Sequence, residues 1–318
     1  MATLAEPYAR TVGNASPATL AATLLDALLA AEPPIVDTAH DWFAATPARA
    51  AHARTIDRAL VGGALADRLG FAFAAGYTEA LRFLVPDLEG IASLCATEAD
   101  GNHPRAIKTL LAPRADHFTL TGHKRWSTGA SHASSLLVVA TTGDDPETQR
   151  PRLRVVHVPI ASANLRIRSS AAPFVPEIEH AEIDLDGVEV TAAQILPGDG
   201  YDDYLKPFRT VEDLHVHAAL LGYLIGVVRR HALAPALTES LLALAASTRA
   251  LADEPVKAAS THLALAGLLD LATRLVAEVE AAWSAAPSAE WQRWQRDRPL
   301  LQVAAKARIA RRDTARAR

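Results

Sequence analysis

The stretch Cys95-Ala96-Thr97-Glu98-Ala99-Asp100-Gly101-Asn102-His103-Pro104-Arg105-Ala106-Ile107-Lys108-Thr109, followed by Leu120-Thr121-Gly122-His123-Lys124-Arg125-Trp126-Ser127-Thr128-Gly129, divides this chain by texture. Ahead of it the sequence is rich in Ala and Leu at helical spacing. From it onward, short apolar runs are separated by turn formers. Phe118-Thr119-Leu120-Thr121 alternates with the two-residue period of a strand, as does Ala181-Glu182-Ile183-Asp184-Leu185-Asp186. Apolar runs at 135–142 and 153–159 lie between them, and Gly122, Gly143-Asp144-Asp145-Pro146 and Asp186-Gly187 are expected as turns.

On the N-terminal side, Leu20, Leu24, Leu25 and Leu28 share one helical stripe that Pro33-Pro34 stops. Two more helical patterns cover 52–69, interrupted by Gly62-Gly63, and 71–84. Helices are expected again at about 210–233, 236–251, 255–282 and 300–318. The expected fold is α+β: an N-terminal helical domain over 1–93, a central antiparallel β domain over 94–200 and a C-terminal helical bundle over 201–318.

The chain has 318 residues, of which 50% are hydrophobic and 21% charged, which excludes disordered and fibrous classes. A net charge of −4 leaves no overall basic field to hold nucleic acid. One cysteine, Cys95, excludes an internal disulfide framework and a Cys-based zinc site. His215 and His217 stand two apart and share no helix face, so no metal site is expected. The longest unbroken apolar run, Ala218 to Val228, falls short of the roughly 20 residues that span a bilayer. With no secretory leader pattern, a soluble, cytoplasmic protein without membrane or nucleic-acid partners is expected. The basic end from Trp291 to Arg318 is expected to be a solvated helix face, with phosphate groups or an acidic protein partner as the alternative contact.

The paired segments resemble the acyl-CoA dehydrogenase family, in which a Thr-Glu-Pro segment runs to an Ile-Lys-Thr strand and a Gly-x-Lys-x-Trp-x-Thr segment follows. Gly76-Tyr77 to Pro86 is similar to the helix before that family's β domain, and Leu196-Pro197-Gly198-Asp199-Gly200 to the loop entering its bundle. The resemblance implies helical, β and helical domains in that order. It implies FAD as cofactor and α,β-dehydrogenation of an acyl-CoA or acyl-carrier thioester, as in fatty-acid metabolism. A carboxylate takes the α-proton while the flavin receives the hydride. It also implies assembly as a homodimer or homotetramer. By position, Thr97 and Thr128 match flavin-contacting threonines and Trp126 the indole lying against the flavin ring. From the residues alone, the two threonines are equally ordinary strand residues and Trp126 a core residue.

For the base, the resemblance points to Glu212, ten residues before Gly222, the position used by isovaleryl-type and long-chain-type members. Thr210 followed by Glu212 and Asp213 is also a helix-start signature, with Thr210 as the cap and the acids in the first turn.

Three features depart from the family. The Thr-Glu segment carries Ala99 for Pro and Asp100 where small residues would approach a pyrophosphate. The Arg-x-x-Phe-Gly element that reaches a neighbouring subunit's FAD has no counterpart in Arg229 to Ser240. No segment resembling the family's C-terminal His-Gly-Gly run and catalytic Glu is found. The alternatives are a non-catalytic partner subunit in a hetero-oligomer, or an acyl-thioester binding protein that has lost FAD.

Overall fold

The computed structural model describes residues 23–101, 103–170 and 173–318. Helix α1 (Leu24–Ala30) is capped by Thr23, whose hydroxyl accepts from Asp26 N while the Asp26 carboxylate accepts from Thr23 N. The earlier part of the Leu20 stripe lies outside the described residues. Helices α2 (Ala39–Ala45), α3 (Thr55–Ala64) and α4 (Leu69–Leu84) complete the N-terminal group. The sequence pattern did not single out α2. Its Trp42 is fully buried against Phe71 of α4, with ring centroids 5.8 Å apart.

Seven strands follow among the described residues: β1 (Ala92–Cys95), β2 (Leu110–Pro113), β3 (Phe118–Thr128), β4 (Ser135–Asp144), β5 (Pro151–Pro159), β6 (Leu165–Ser170) and β7 (His180–Val190). The path runs β1-β4-β2-β3-β7-β6, with β5 beside β4. The expectation of an antiparallel domain needs correction, because the sheet is mixed: β4 pairs in parallel with both β1 and β2. Two expected turns are also corrected. Gly122 sits inside β3, where an added Cβ would stand 2.7 Å from the Thr109 Cα. Asp186-Gly187 lies inside β7, and Asp186 pairs with Thr121 at a register shift.

The C-terminal bundle holds α5 (Lys206–Arg230), α6 (Pro235–Leu251), α7 (Ala259–Trp283), α8 (Ala289–Asp297) and α9 (Ala305–Arg316). A wide helical turn over 200–205 leads into α5, so α5 starts earlier than expected and Thr210 is buried inside it. The cap reading is thereby overturned: Thr210 Oγ1 lies 3.3 Å from His262 Nε2, and Glu212 and Asp213 stand beyond the first turn. Segment 200–230 is long and apolar enough to cross a bilayer, contrary to the reading of 218–228, but 89% of its apolar window is buried in the protein.

This burial depends on small residues. A Cβ at Gly63 would meet the Ala219 carbonyl oxygen at 1.8 Å, and one at Gly222 the Leu60 oxygen at 2.0 Å. The Gly62-Gly63 pair therefore does not break α3. Gly63 lets α3 and α5 cross backbone against backbone, while Gly62 faces α4, where a Cβ would stand 2.6 Å from the Ala75 Cβ.

Candidate functional site

The two quoted segments meet in space. Arg125 N donates to Thr97 O at 2.8 Å, and Ser93 Oγ donates to Thr128 O at 2.7 Å. Beneath this seam Lys124, fully buried, bonds Glu98 Oε1 at 2.6 Å. Glu98 also accepts from Lys108 N at 2.8 Å and from Thr109 N at 3.0 Å. Burial pushes the Glu98 carboxyl up, but the Lys124 bond and charge, with these amides, more than offset it and hold it below the usual carboxylate range. Burial pulls the Lys124 ammonium down, opposed by Glu98. The pair was missed in the sequence. Its signal was Lys124 at i+4 from buried Leu120, on the inward face of a strand, where a cation needs a partner.

The register of β3 against β7 shifts between Lys124 and Ser127. At that bulge Trp126 takes φ 56°, a left-handed conformation rare for an aromatic residue, and its side chain is 60% exposed. The core reading of Trp126 is thus corrected. The His180 ring approaches it edge-on, with centroids 6.5 Å apart.

Thr128 opens onto a cavity of about 790 Å³ between the sheet edge, α5, α7 and segment 298–312. That volume falls within the usual range for small-molecule sites. From α5 the cavity is lined by Glu212, Asp213, Val216, His217 and Leu220, a single helix face. Glu212 and Thr128 therefore share one cavity. Thr97 and Trp126 stand beside Thr128 on the same seam but are not among the lining residues.

The cavity's carboxylates differ in their partners. Asp213 is held by Arg308 at 2.8 Å and Arg311 at 2.7 Å. Glu280 accepts from Trp294 Nε1 at 2.7 Å and Arg298 at 3.1 Å. Asp270 is largely exposed, 4.0 Å from Arg312. Glu212, among the described residues, has no hydrogen bond and no ion pair. Burial first, then the like charge of Asp213, raise its carboxyl to about 7, against the weaker pull of Arg308 and Arg209. Burial and then the charge of Glu212 also hold the Tyr77 hydroxyl well above its ordinary value, and that hydroxyl accepts from Leu94 N at 3.0 Å. The basic C-terminal run is not merely a solvated face: α9 closes over α5 and spends two of its arginines on Asp213.

A strained residue braces the opposite wall. Val175 lines the cavity at φ 44°, and its N–H is fixed by the fully buried Asp297 carboxylate at 2.8 Å.

No protein-family profile and no curated protein matches the sequence. Solved structures do match its shape. Butyryl-CoA dehydrogenase from Megasphaera elsdenii superposes with a TM-score of 0.64 at 13% identity, over 93% of this chain and 88% of that one. FkbI, for biosynthesis of the methoxymalonyl extender unit of a polyketide immunosuppressant, gives 0.65 at 19% identity over 92% and 91%. Glutaryl-CoA dehydrogenase from Mycobacterium smegmatis, in complex with FADH2, gives 0.64 at 16% identity over 83% and 80%. The chain has the acyl-CoA dehydrogenase fold, as its paired motifs led us to expect.

The residues present suit the ring portion of a flavin. An exposed indole held at a bulge offers a face, and Thr128 and Thr97 offer hydroxyls beside it. The phosphate end is less well provided: loop 98–101 closes on itself through reciprocal Glu98 and Gly101 backbone bonds of 3.0 Å and carries exposed Asp100.

Proposed function

We propose that this chain is a flavin-dependent dehydrogenase of acyl thioesters in which Glu212 takes the α-proton. The observation that carries the reading is the isolation of Glu212. It is the cavity carboxylate without a partner among the described residues, and its value of about 7 matches that of a general base working near neutrality. Arg308 and Arg311 hold Asp213 in an ion pair, and its charge still adds to the proton affinity of Glu212 beside it. Val216 and Leu220 of α5 and Leu269, Ala272 and Val276 of α7 give the cavity an apolar part that would shed water once an acyl chain fills it. Thr97, Trp126 and Thr128 would hold the flavin ring, and bound FAD would supply a hydride acceptor. Assembly as a homo-oligomer and residence in the cytoplasm belong to the same proposal.

The test is the visible spectrum of the purified chain with added FAD, followed by anaerobic bleaching with acyl-CoA esters. Flavin bands that bleach in the native protein, and persist unbleached in Glu212→Gln, are expected. Absence of binding at tens of micromolar FAD, or normal bleaching of the variant, overturns the proposal. The self-closed loop at 98–101 favours a second reading, a flavin-free acyl-thioester binding subunit. Thermal stabilisation by CoA esters without FAD, together with co-purification of a complete dehydrogenase, would select it.

A further inference from the structure

His217 is unexplained by the proton-transfer reading. It lines the cavity, is 3% exposed, and its Nε2 has no hydrogen-bond partner among the described residues. An imidazole so placed has lost water and gained nothing, a cost that a polar group entering the cavity would offset. His215, two residues earlier on the same helix, shows the satisfied case: its Nδ1 meets Val211 O at 2.7 Å and its Nε2 meets Thr55 Oγ1 at 2.9 Å.

The surroundings of His217 define what the missing partner can be. Apolar residues share the cavity with it, among them Val216 and Leu220 from α5 and Leu269 and Ala272 from α7. The charged groups facing it are Asp213 and Arg308, already committed to each other at 2.8 Å. Arg298 is committed to Glu280 at 3.1 Å. Arg312, also in the lining, stands 4.0 Å from Asp270 and 3.8 Å from Asp313, so among the described residues each arginine of the cavity already has a carboxylate beside it. Burial, then Arg308, push His217 down to about 4, so it is neutral and offers one bond rather than a charge. Along α5 it stands five residues beyond Glu212, about 7.5 Å of helix rise. The group it meets is therefore distant from the carbon that Glu212 addresses.

We propose that His217 reads an uncharged oxygen substituent, a hydroxyl or carbonyl, on the acyl group, so that the substrate class is an oxygenated acyl thioester rather than a plain hydrocarbon chain. The inference rests on the acyl-thioester reading of the cavity, not on Glu212 acting as base.

The full chain is titrated calorimetrically with pantetheine thioesters of octanoate and of hydroxyoctanoates bearing the hydroxyl at successive carbons. The pantetheine arm is common to CoA and carrier proteins. One hydroxylated ester is expected to bind about tenfold tighter than the unsubstituted ester, the scale of an unmade buried hydrogen bond. His217→Leu is expected to erase that preference and His217→Gln to keep part of it. Equal binding of all esters by the native chain overturns the proposal without any variant, as does a preference that survives His217→Leu. Flavin bleaching is followed on the same esters. Preference without bleaching sustains the role of His217 and overturns the dehydrogenase reading. Bleaching without preference does the reverse, and no binding of any ester overturns both.

Discussion

Glu98 and Glu212 are two carboxylates set back from bulk water, Glu98 buried under the β seam and Glu212 half-buried on α5 facing the cavity, and their environments drive them in opposite directions. Glu98 has a buried cation at 2.6 Å and two amides, so it stays ionised and its value falls. Glu212 has burial and a like charge beside it, so its value climbs to about 7. Burial alone therefore does not make a catalytic acid or base. The difference lies in whether the fold supplies a counter-charge, and the α5 side gives its arginines to Asp213 instead.

The largest effect should come from breaking the satisfied site. Lys124→Met leaves Glu98 buried without its cation and is expected to cost about 3–5 kcal/mol in denaturant unfolding. It should also loosen the seam between segments 96–98 and 124–126. Because the folded value of Glu98 lies below its ordinary one, its contribution is present above the ordinary carboxylate range and is lost as pH falls. Acid should thus destabilise the native protein more than the variant. A Lys124→Met protein as stable as native would end the contrast between the two sites.

The unsatisfied site should respond with the opposite sign. Its folded value is raised from 4.5 to about 7, so the stability it contributes is full below 4.5 and is lost as pH rises through 7. Glu212→Gln removes that loss. The variant is expected to be about 2–3 kcal/mol more stable than native at pH 8 and equal to it near pH 4, read from unfolding midpoints. Bleaching of bound flavin by thioester should rise in the native protein through the same interval, as the base loses its proton.

Asp213 links the two cases, since it is a paired carboxylate next to an unpaired one. Asp213→Asn removes the like charge and frees Arg308, and both changes pull Glu212 down from about 7. The pH profile for bleaching should move to lower pH. Stability should drop by about 1–3 kcal/mol, as Arg308 and Arg311 lose their partner and α9 its hold on α5. An unmoved profile would mean that Asp213 does not set the proton affinity of Glu212.

Much of this contrast was legible in the sequence, but not its partners. The alternation at 118–121 and 181–186 lies within β3 and β7, and Thr128 and Glu212, named from the resemblance, both line one cavity. Glu98 and Lys124 were both quoted, yet their pairing across 26 positions depends on how the loop after β1 folds back. Asp213 meets Arg308 and Arg311 at separations of 95 and 98, contacts that no local pattern carries. Periodicity likewise gave one last helix over 300–318 and no helix over 289–297, whereas α8 occupies 289–297 and Arg298–Gln302 forms a tight turn before α9 and lines the cavity. The glycines of α3 looked like an interruption because their reasons, Ala75 against Gly62 and the carbonyl of Ala219 against Gly63, lie on other helices.

The smallest effect on stability should come from the most exposed member of the site. Trp126 is 60% exposed and takes φ 56° at a bulge, so Trp126→Gly gives up little packing and relieves a strained conformation. Unfolding midpoints should stay within about 0.5 kcal/mol of native. Flavin binding should suffer far more, because a stacked indole contributes about 1–3 kcal/mol to an aromatic ring it covers. That is a loss of roughly tenfold or more in FAD affinity, measured by fluorescence quenching. A residue held in an unfavourable backbone state and left in solvent is explained if something flat binds against it. Were the variant instead to bind flavin as tightly as native, the β seam would be a structural lock built on Glu98 and Lys124, and the chemistry would rest on the α5 face alone.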